Sequence, residues 1–254
     1  MALRFLLVTV LAVLAGSTHA ETASDGGAPR YAVLSLIGDA LTLVTYQSST
    51  GSSMDTNRHE SIPMAGAPFD KTALKAADAA LRKLDPETAV VLLTASSPAL
   101  YQEQEKLFSE SRLTAPEEIV NALRRSGAAR AIVLTKYRGD ARLDAQNRHL
   151  GSGKLSGLGF YVDRQHRLSR SDTGELGVGF LAPFVYVRLS LVDVATLAVL
   201  REEIVTAATT LSAARSKETA NPWDVLTPAQ KVESINSMTA REVARAIPVL
   251  VGTR

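Results

Sequence analysis

The sequence contains no cysteine among its 254 residues, which excludes disulfide-rich scaffolds. A lipoprotein anchor needs a cysteine just after the export cleavage site, so we expect none here. An excess of charge of one sign is also lacking, because 28 Lys and Arg stand against 26 Asp and Glu. A formal net charge of +2 does not indicate a nucleic-acid binder. With 46% hydrophobic and 21% charged residues, the composition excludes disordered and collagen-like classes.

Residues 1–20 have the pattern of a secretory signal peptide. A single arginine precedes an apolar run at residues 5–15, which is too short to span a bilayer. The small residues Thr18 and Ala20 precede the predicted cleavage site. We therefore expect export to the bacterial periplasm, with residues 21–30 forming a flexible leader. No later stretch is long and apolar enough for a membrane helix, so we expect a soluble mature protein.

The pattern of residues 31–250 predicts one α/β (α+β) domain, in which a mixed β-sheet is flanked by helices. The β-rich runs at 31–37 and 41–46 predict a hairpin that turns at Gly38-Asp39. Apolar spacing predicts the remaining elements in chain order: a helix at 69–84, a strand buried on both faces at 89–95, helices after Pro98 and Thr114, a strand at 130–137, a hairpin at 183–207 and a C-terminal helix from Thr227 to about Ile247. Asp70 is positioned to cap the first helix, and Thr227 with Gln230 predicts a capping box for the last one.

Residues 138–182 contain half of the 16 glycines, which predicts a long hairpin or a mobile excursion. Apolar side chains between these glycines either fold back onto the core or form a contact surface. Basic and acidic residues alternate in the same region, so that an anionic envelope surface could dock there, although a solvated hairpin also explains them. We predict that partner binding involves Leu158, Phe160, Tyr161, Phe180, Arg164 and Arg167.

Two stretches resemble a known group of proteins. Residues 120–137 resemble the "helix, Ser-Gly-Ala, strand" step of periplasmic α/β modules such as the TolB amino-terminal domain and the curli-secretion and penicillin-binding-protein-activator lipoproteins. Residues 186–200 are similar to their paired strands. The chain departs from them at Leu197, which replaces the usual turn glycine, and in lacking a lipid-bearing cysteine. The resemblance implies a non-enzymatic envelope module that binds a partner protein.

The long polar loop at residues 47–68 offers an alternative site. In an extended segment Asp55, Asn57 and His59 share one face and Glu60 is nearby. Carboxylate oxygens and an imidazole could act as acid and base or hold a metal ion. No His-x-x-x-His or Glu-x-x-His pair supports a metal site, so we predict no cofactor. This loop would serve a hydrolase or a protein that binds a metal or small ligand.

Three partial motifs are incomplete. Residues 38–41 are similar to the Gly-Asp-Ser-Leu block of serine esterases, but Ala40 has no hydroxyl for nucleophilic attack. Asp163 and His166 have the acid–base spacing of that family, which without a nucleophile predicts no catalysis. Residues 151–157 depart from the phosphate-loop pattern, since the residue after the lysine is leucine.

Together these features predict a secreted, non-catalytic bacterial envelope protein. We expect it to bind a partner protein or another envelope component through the Gly-rich excursion and the adjacent sheet edge. No residue is predicted to be catalytic and no nucleic-acid partner is expected. A structural subunit is a third hypothesis, because an open sheet edge could pair with a second copy by strand addition.

Overall fold

A computed structural model describes residues 30–48, 55–145, 148–170, 172–215 and 221–252. The signal peptide predicted at 1–20 lies outside the described residues, as does the leader up to residue 29. Within the described part no helix is both long and apolar enough to cross a membrane.

Four α-helices and fourteen strands are assigned in the described part. The helices are α1 (Pro68–Leu84), α2 (Pro98–Gln102), α3 (Glu117–Arg125) and α4 (Pro228–Val251). The strands are β1 (Arg30–Ser35), β2 (Ala40–Thr45), β3 (Arg58–Pro63), β4 (Ala89–Thr94), β5 (Phe108–Ser109), β6 (Arg112–Leu113), β7 (Arg130–Lys136), β8 (Arg138–Asp140), β9 (Leu143–Ala145), β10 (Arg148–Leu150), β11 (Lys154–Ser169), β12 (Leu176–Asp193), β13 (Val199–Ala208) and β14 (Leu211–Ser212).

Strand β12 is the central strand of one mixed sheet. Both β11 and β7 pair antiparallel with the same edge of β12, β11 along residues 176–186 and β7 along residues 187–193. Strands β1 and β4 add parallel to β7, whereas β2 adds parallel to β11. Antiparallel β3 ends the sheet beyond β2, and β13 pairs with the other edge of β12. The predicted fold class, a mixed sheet flanked by helices with a C-terminal helix, is confirmed.

The hairpin predicted at Gly38-Asp39 is wrong. Strand β1 pairs with β7 and β4, whereas β2 pairs with β11 and β3, so the chain continues from one to the other in the same direction. Gly38 serves a close approach, because a Cβ atom there would lie 2.6 Å from the backbone nitrogen of Asp70 in α1. A Gly-Asp pair between two apolar runs is ambiguous, since it permits both a turn and close packing.

The helices cover the two faces of the sheet unequally. Helices α1 and α4 pack on one face, over a cluster that includes Val33, Phe160 and Val187. Helices α2 and α3 cover part of the other face, and the short β9–β10 hairpin covers a separate cluster around Tyr161 and Tyr186. Helix α4 begins with the predicted capping box, in which Thr227 and Gln230 each bond the other's backbone N–H.

Candidate functional site

The apolar residues predicted to bind a partner lie in the core. Leu158, Phe160, Tyr161 and Phe180 are at most 1% exposed. Residues 158–162 of β11 are paired with β2 on one side and β12 on the other, which places them inside the sheet. Leu158 and Phe160 pack in the cluster beneath α1 and α4, whereas Tyr161 and Phe180 pack in the cluster that the β9–β10 hairpin covers. Of the two alternatives, folding back onto the core therefore describes these four side chains, and the monomer does not present them to a partner.

The many glycines in β11 and β12 made these central strands difficult to recognise in the sequence. A Cβ atom at Gly159 would lie 1.9 Å from the carbonyl oxygen of Thr42, so the glycine there permits close approach of β2 and β11. Tyr161 stacks on Phe180 with ring centroids 6.0 Å apart. Burial raises the pKa of Tyr161 to about 12, and its hydroxyl accepts the N–H of Ser152. The Gly-rich pattern thus marks tight strand packing rather than a mobile segment.

Most of this hairpin beyond its neighbouring strands is exposed, apart from the buried Leu168, and we call residues 164–170 and 172–178 the hairpin tip. Arg164 and Arg167 are exposed and have no ion-pair partner among the described residues. Leu176 and Val178 are 56% and 51% exposed. Arg167 is the cross-strand partner of Val178, so a cation and an apolar side chain share one face of the tip.

The base of the tip is held by Asp163, a buried carboxylate in a β-bulge of β11. Its Oδ1 accepts the backbone N–H groups of Gln165 and His166 at 2.7 and 2.8 Å, and its Oδ2 lies 2.6 Å from His166 Nδ1. The Asp-x-x-His spacing seen in the sequence therefore does bring the two side chains together. Their contacts fix the bulge from which Arg164 and Arg167 project.

The structure brings together only two of the three residues proposed as a site in the 47–68 loop. Asp55 Oδ2 lies 3.1 Å from His59 Nε2, so these two side chains meet. Glu60 follows His59 in β3 and therefore points to the opposite face, where it forms a 2.8 Å ion pair with Arg58. No group of three or more His, Asp or Glu side chains arranged for a metal ion occurs in the described ranges.

Asp55 ties the loop to the Gly-rich turn before β11. Its carboxylate accepts the N–H of Lys154 at 2.9 Å and that of Asn57 at 3.1 Å. The amide of Asn57 in turn donates to the carbonyl oxygen of Ser152 at 2.6 Å. Partial burial alone would raise the pKa of Asp55, but these N–H groups and His59 outweigh it and lower that pKa. Asp55 therefore has a structural role, because it holds the backbone N–H groups of Asn57 and Lys154.

A second buried carboxylate was not recognised in the sequence. Asp70, in the first turn of α1, is 4% exposed. Its Oδ1 accepts hydrogen bonds from the Ser35 hydroxyl at 2.6 Å and from the N–H groups of Ile37 and Gly38 at 2.9 and 3.1 Å. Its Oδ2 accepts the Tyr101 hydroxyl at 2.7 Å. Burial raises the pKa of Asp70, although each of these donors lowers it.

Asp70 borders a cleft of about 730 Å³ at the carboxyl ends of β1 and β4. Ligands of open α/β sheets bind in this position. Polar and charged residues that line the cleft include Asp39, Lys71, Thr94, Ser96 and Tyr101. The carboxylate of Asp70 is already surrounded by four donors, so what the geometry shows is a bridge that fixes α1 to the link between β1 and β2. An acidic residue in a first helical turn is usually exposed, which is why the sequence predicted only a helix cap.

Comparisons with known proteins place the chain in no family. No protein-family model and no curated protein matches it. The solved structures to which it is similar include a PelC dodecamer from Paraburkholderia phytofirmans, at 12% identity over 98% of this chain and 99% of that chain, with a TM-score of 0.31. A hypothetical protein from Chlamydia trachomatis has 11% identity over 90% and 100% of the two chains and a TM-score of 0.35.

A third similar structure is a Helicobacter pylori protein described as a neuraminyllactose-binding hemagglutinin homologue. It has 9% identity over 91% of this chain and 87% of that chain, with a TM-score of 0.38. All three are bacterial proteins. The resemblance of residues 120–137 and 186–200 to TolB-type modules stays a prediction.

Proposed function

We propose that this chain is an exported, non-catalytic protein of the bacterial envelope that binds a partner protein through the hairpin tip. The observation that supports the proposal is that two exposed apolar side chains, Leu176 and Val178, lie on the same projecting hairpin as the exposed cations Arg164 and Arg167, with Arg167 directly opposite Val178. Arginine is one of the residue types that contribute most of the binding energy in protein interfaces, and burial of neighbouring apolar side chains adds to it.

The tip is held in place before binding. Strands β11 and β12 pair from Arg167–Val178 to Ser169–Leu176, and Asp163 fixes the bulge below them. The hydroxyl of Ser212 donates to the carbonyl oxygen of Leu168, which anchors one side of the tip to the fold. Such a preorganised surface loses little conformational entropy on association. Leu176 is 56% exposed, so burying the rest of it would contribute about 1 kcal/mol.

The alternative of a hydrolase or a metal or small-ligand binder at the 47–68 loop has less support. Asp55 and His59 are engaged with each other and with the backbone of Lys154, and Glu60 points away from them. A catalytic acid or base has to reach a substrate rather than hold its own loop.

Site-specific photocrosslinking in cells tests the proposal. A photoreactive residue at Val178 is expected to capture one dominant envelope protein. The matched control is the same residue at Leu200, which is 50% exposed on β13 and lies away from the tip. Identical capture at both positions, or none at Val178, would contradict the proposal.

Export is tested separately. Amino-terminal sequencing of the protein recovered from the periplasmic fraction should begin at Glu21, as the small residues at Thr18 and Ala20 predict. An uncleaved chain in the cytoplasmic fraction would contradict the envelope assignment. A partner captured at Val178 would then be a cytoplasmic protein.

A further inference from the structure

Strand β4 ends the sheet with an exposed backbone edge. It pairs with β1 and with no other described strand. Five consecutive apolar residues, Ala89 to Leu93, form most of it, and the first four are only half-buried. Alternate N–H and C=O groups of such a strand point away from its neighbour, so this edge is a template for another strand.

Edge strands are normally protected by charge, proline or a bulge. Strand β4 has none of these, because no charged residue or proline lies between Ala89 and Thr94 and its register with β1 is unbroken. Its two faces are already packed, Val90 and Leu92 toward α1 and Val91 and Leu93 toward α2. The strand therefore lacks a neighbour only in the plane of the sheet.

We propose that a second copy of this chain pairs with β4, strand to strand and antiparallel, across a two-fold axis near Val91. This pairing sets Ala89 opposite Leu93 and Val90 opposite Leu92, so only apolar residues face one another. Directly opposite residues of an antiparallel pair point to the same face. The α1 layers of the two copies therefore continue each other over one joined sheet.

The charges flanking β4 select the antiparallel arrangement. Asp85 and Glu87 lie just before the strand, whereas the residues just after it, Ala95 to Ser97, are neutral and small. An antiparallel pair brings each acidic flank to the neutral flank of the other copy. A parallel pair would instead place Glu87 beside Glu87 and Asp85 beside Asp85, and like charges opposite one another destabilise a sheet. The edge is thus complementary to itself in two-fold symmetry.

The lack of cysteine makes a direct test possible. Val91→Cys introduces a single thiol, and opposite residues of an antiparallel pair are close enough for a disulfide. Under mild oxidation the variant should form a covalent species of twice the chain mass. Val90→Cys and Leu92→Cys show whether the axis lies one residue away. Ile62→Cys, on the opposite edge strand β3, is the matched control and should form no covalent dimer under the same oxidation.

Solution mass provides a readout that needs no thiol. The unmodified protein and Ile62→Lys should sediment as dimers, whereas Val91→Lys should sediment as a folded monomer, with folding checked by circular dichroism. A monomeric unmodified protein whose three β4 cysteine variants all fail to crosslink would overturn the proposal. A β4 edge occupied by a different protein, or by this chain's own residues, would overturn it as well.

Discussion

The two end strands of the sheet, β3 and β4, differ in how their unpaired backbone edges are protected. At the β3 end every residue of the edge strand is exposed, and it carries Arg58, His59, Glu60 and Pro63. At the β4 end the edge strand is apolar, half-buried and without charge. Charge and proline discourage strand addition, so β3 is a protected end, whereas β4 is an end that association would complete.

A hydrogen-bonded carboxylate lies near each end of the sheet, and the two respond to pH in opposite directions. Asp55 lies near β3 and has a lowered pKa, because backbone N–H groups and His59 outweigh its partial burial. Asp70 lies near β4 and has a raised pKa, because burial outweighs its four hydrogen bonds. The difference teaches that the number of donors does not decide the sign of the pKa shift, since Asp70 has four donors and Asp55 has three, but Asp70 is more deeply buried.

The largest expected effect is at the β4 end. Asp70→Ala leaves the hydroxyls of Ser35 and Tyr101 and the N–H groups of Ile37 and Gly38 without their acceptor. Unsatisfied buried donors are costly, so the free energy of unfolding should fall by roughly 3 to 5 kcal/mol. Urea denaturation measures it. A loss below about 1 kcal/mol would show that water replaces the carboxylate.

Asp55→Ala at the β3 end should cost less, about 1 kcal/mol, because its partly exposed donors can bond water instead. The same urea titration gives the value. Equal losses in the free energy of unfolding for Asp55→Ala and Asp70→Ala would contradict the expected difference between the two carboxylates.

The pH dependence sharpens the contrast further. Because the folded pKa of Asp70 lies above its ordinary 3.8, the unmodified protein should lose stability relative to Asp70→Asn as pH rises from 3.8 through the folded pKa. Because the folded pKa of Asp55 lies below 3.8, stability relative to Asp55→Asn should be lost as pH falls below 3.8. Unfolding titrations of the three proteins between pH 3 and 7 measure both slopes. Slopes of the same sign would contradict the account.

The smallest effect is expected at the hairpin tip. Leu176→Ser should change the free energy of unfolding by less than about 0.5 kcal/mol, because the side chain is mostly exposed. The same change should weaken capture by a photoreactive residue at Val178. Thermal unfolding and crosslinking yield measure the two effects, and a large loss of stability would identify Leu176 as part of the core.

Periodicity predicted much of the fold. The helix at 69–84 corresponds to α1, the strand at 130–137 to β7 and the capping box at Thr227 to the start of α4. These elements follow local rules, since apolar spacing and side-chain caps act within one element. The link at Gly38 could not be predicted in this way, because its glycine is required by Asp70, thirty-two residues away.

The candidate sites were harder to predict, because exposure is set by neighbouring strands. Phe160 and Tyr161 lie among glycines that indicate a loop, yet β11 is an inner strand, and the elements packed on its two faces bury both side chains. Leu176 and Val178 lie in the same region and are exposed, because no strand of the described fold beyond β11 pairs with them. The edge position of β4 depends on the strand order, which a continuous apolar run does not reveal.

Hydrogen exchange of the two edge strands, measured side by side at low and high protein concentration, tests the central claim most directly. If a second copy pairs with β4, the amides of residues 89–93 should become more protected as concentration rises, while those of β3 should not change. Exchange at β4 that is independent of concentration, in a protein that sediments as a monomer throughout, would contradict the claim.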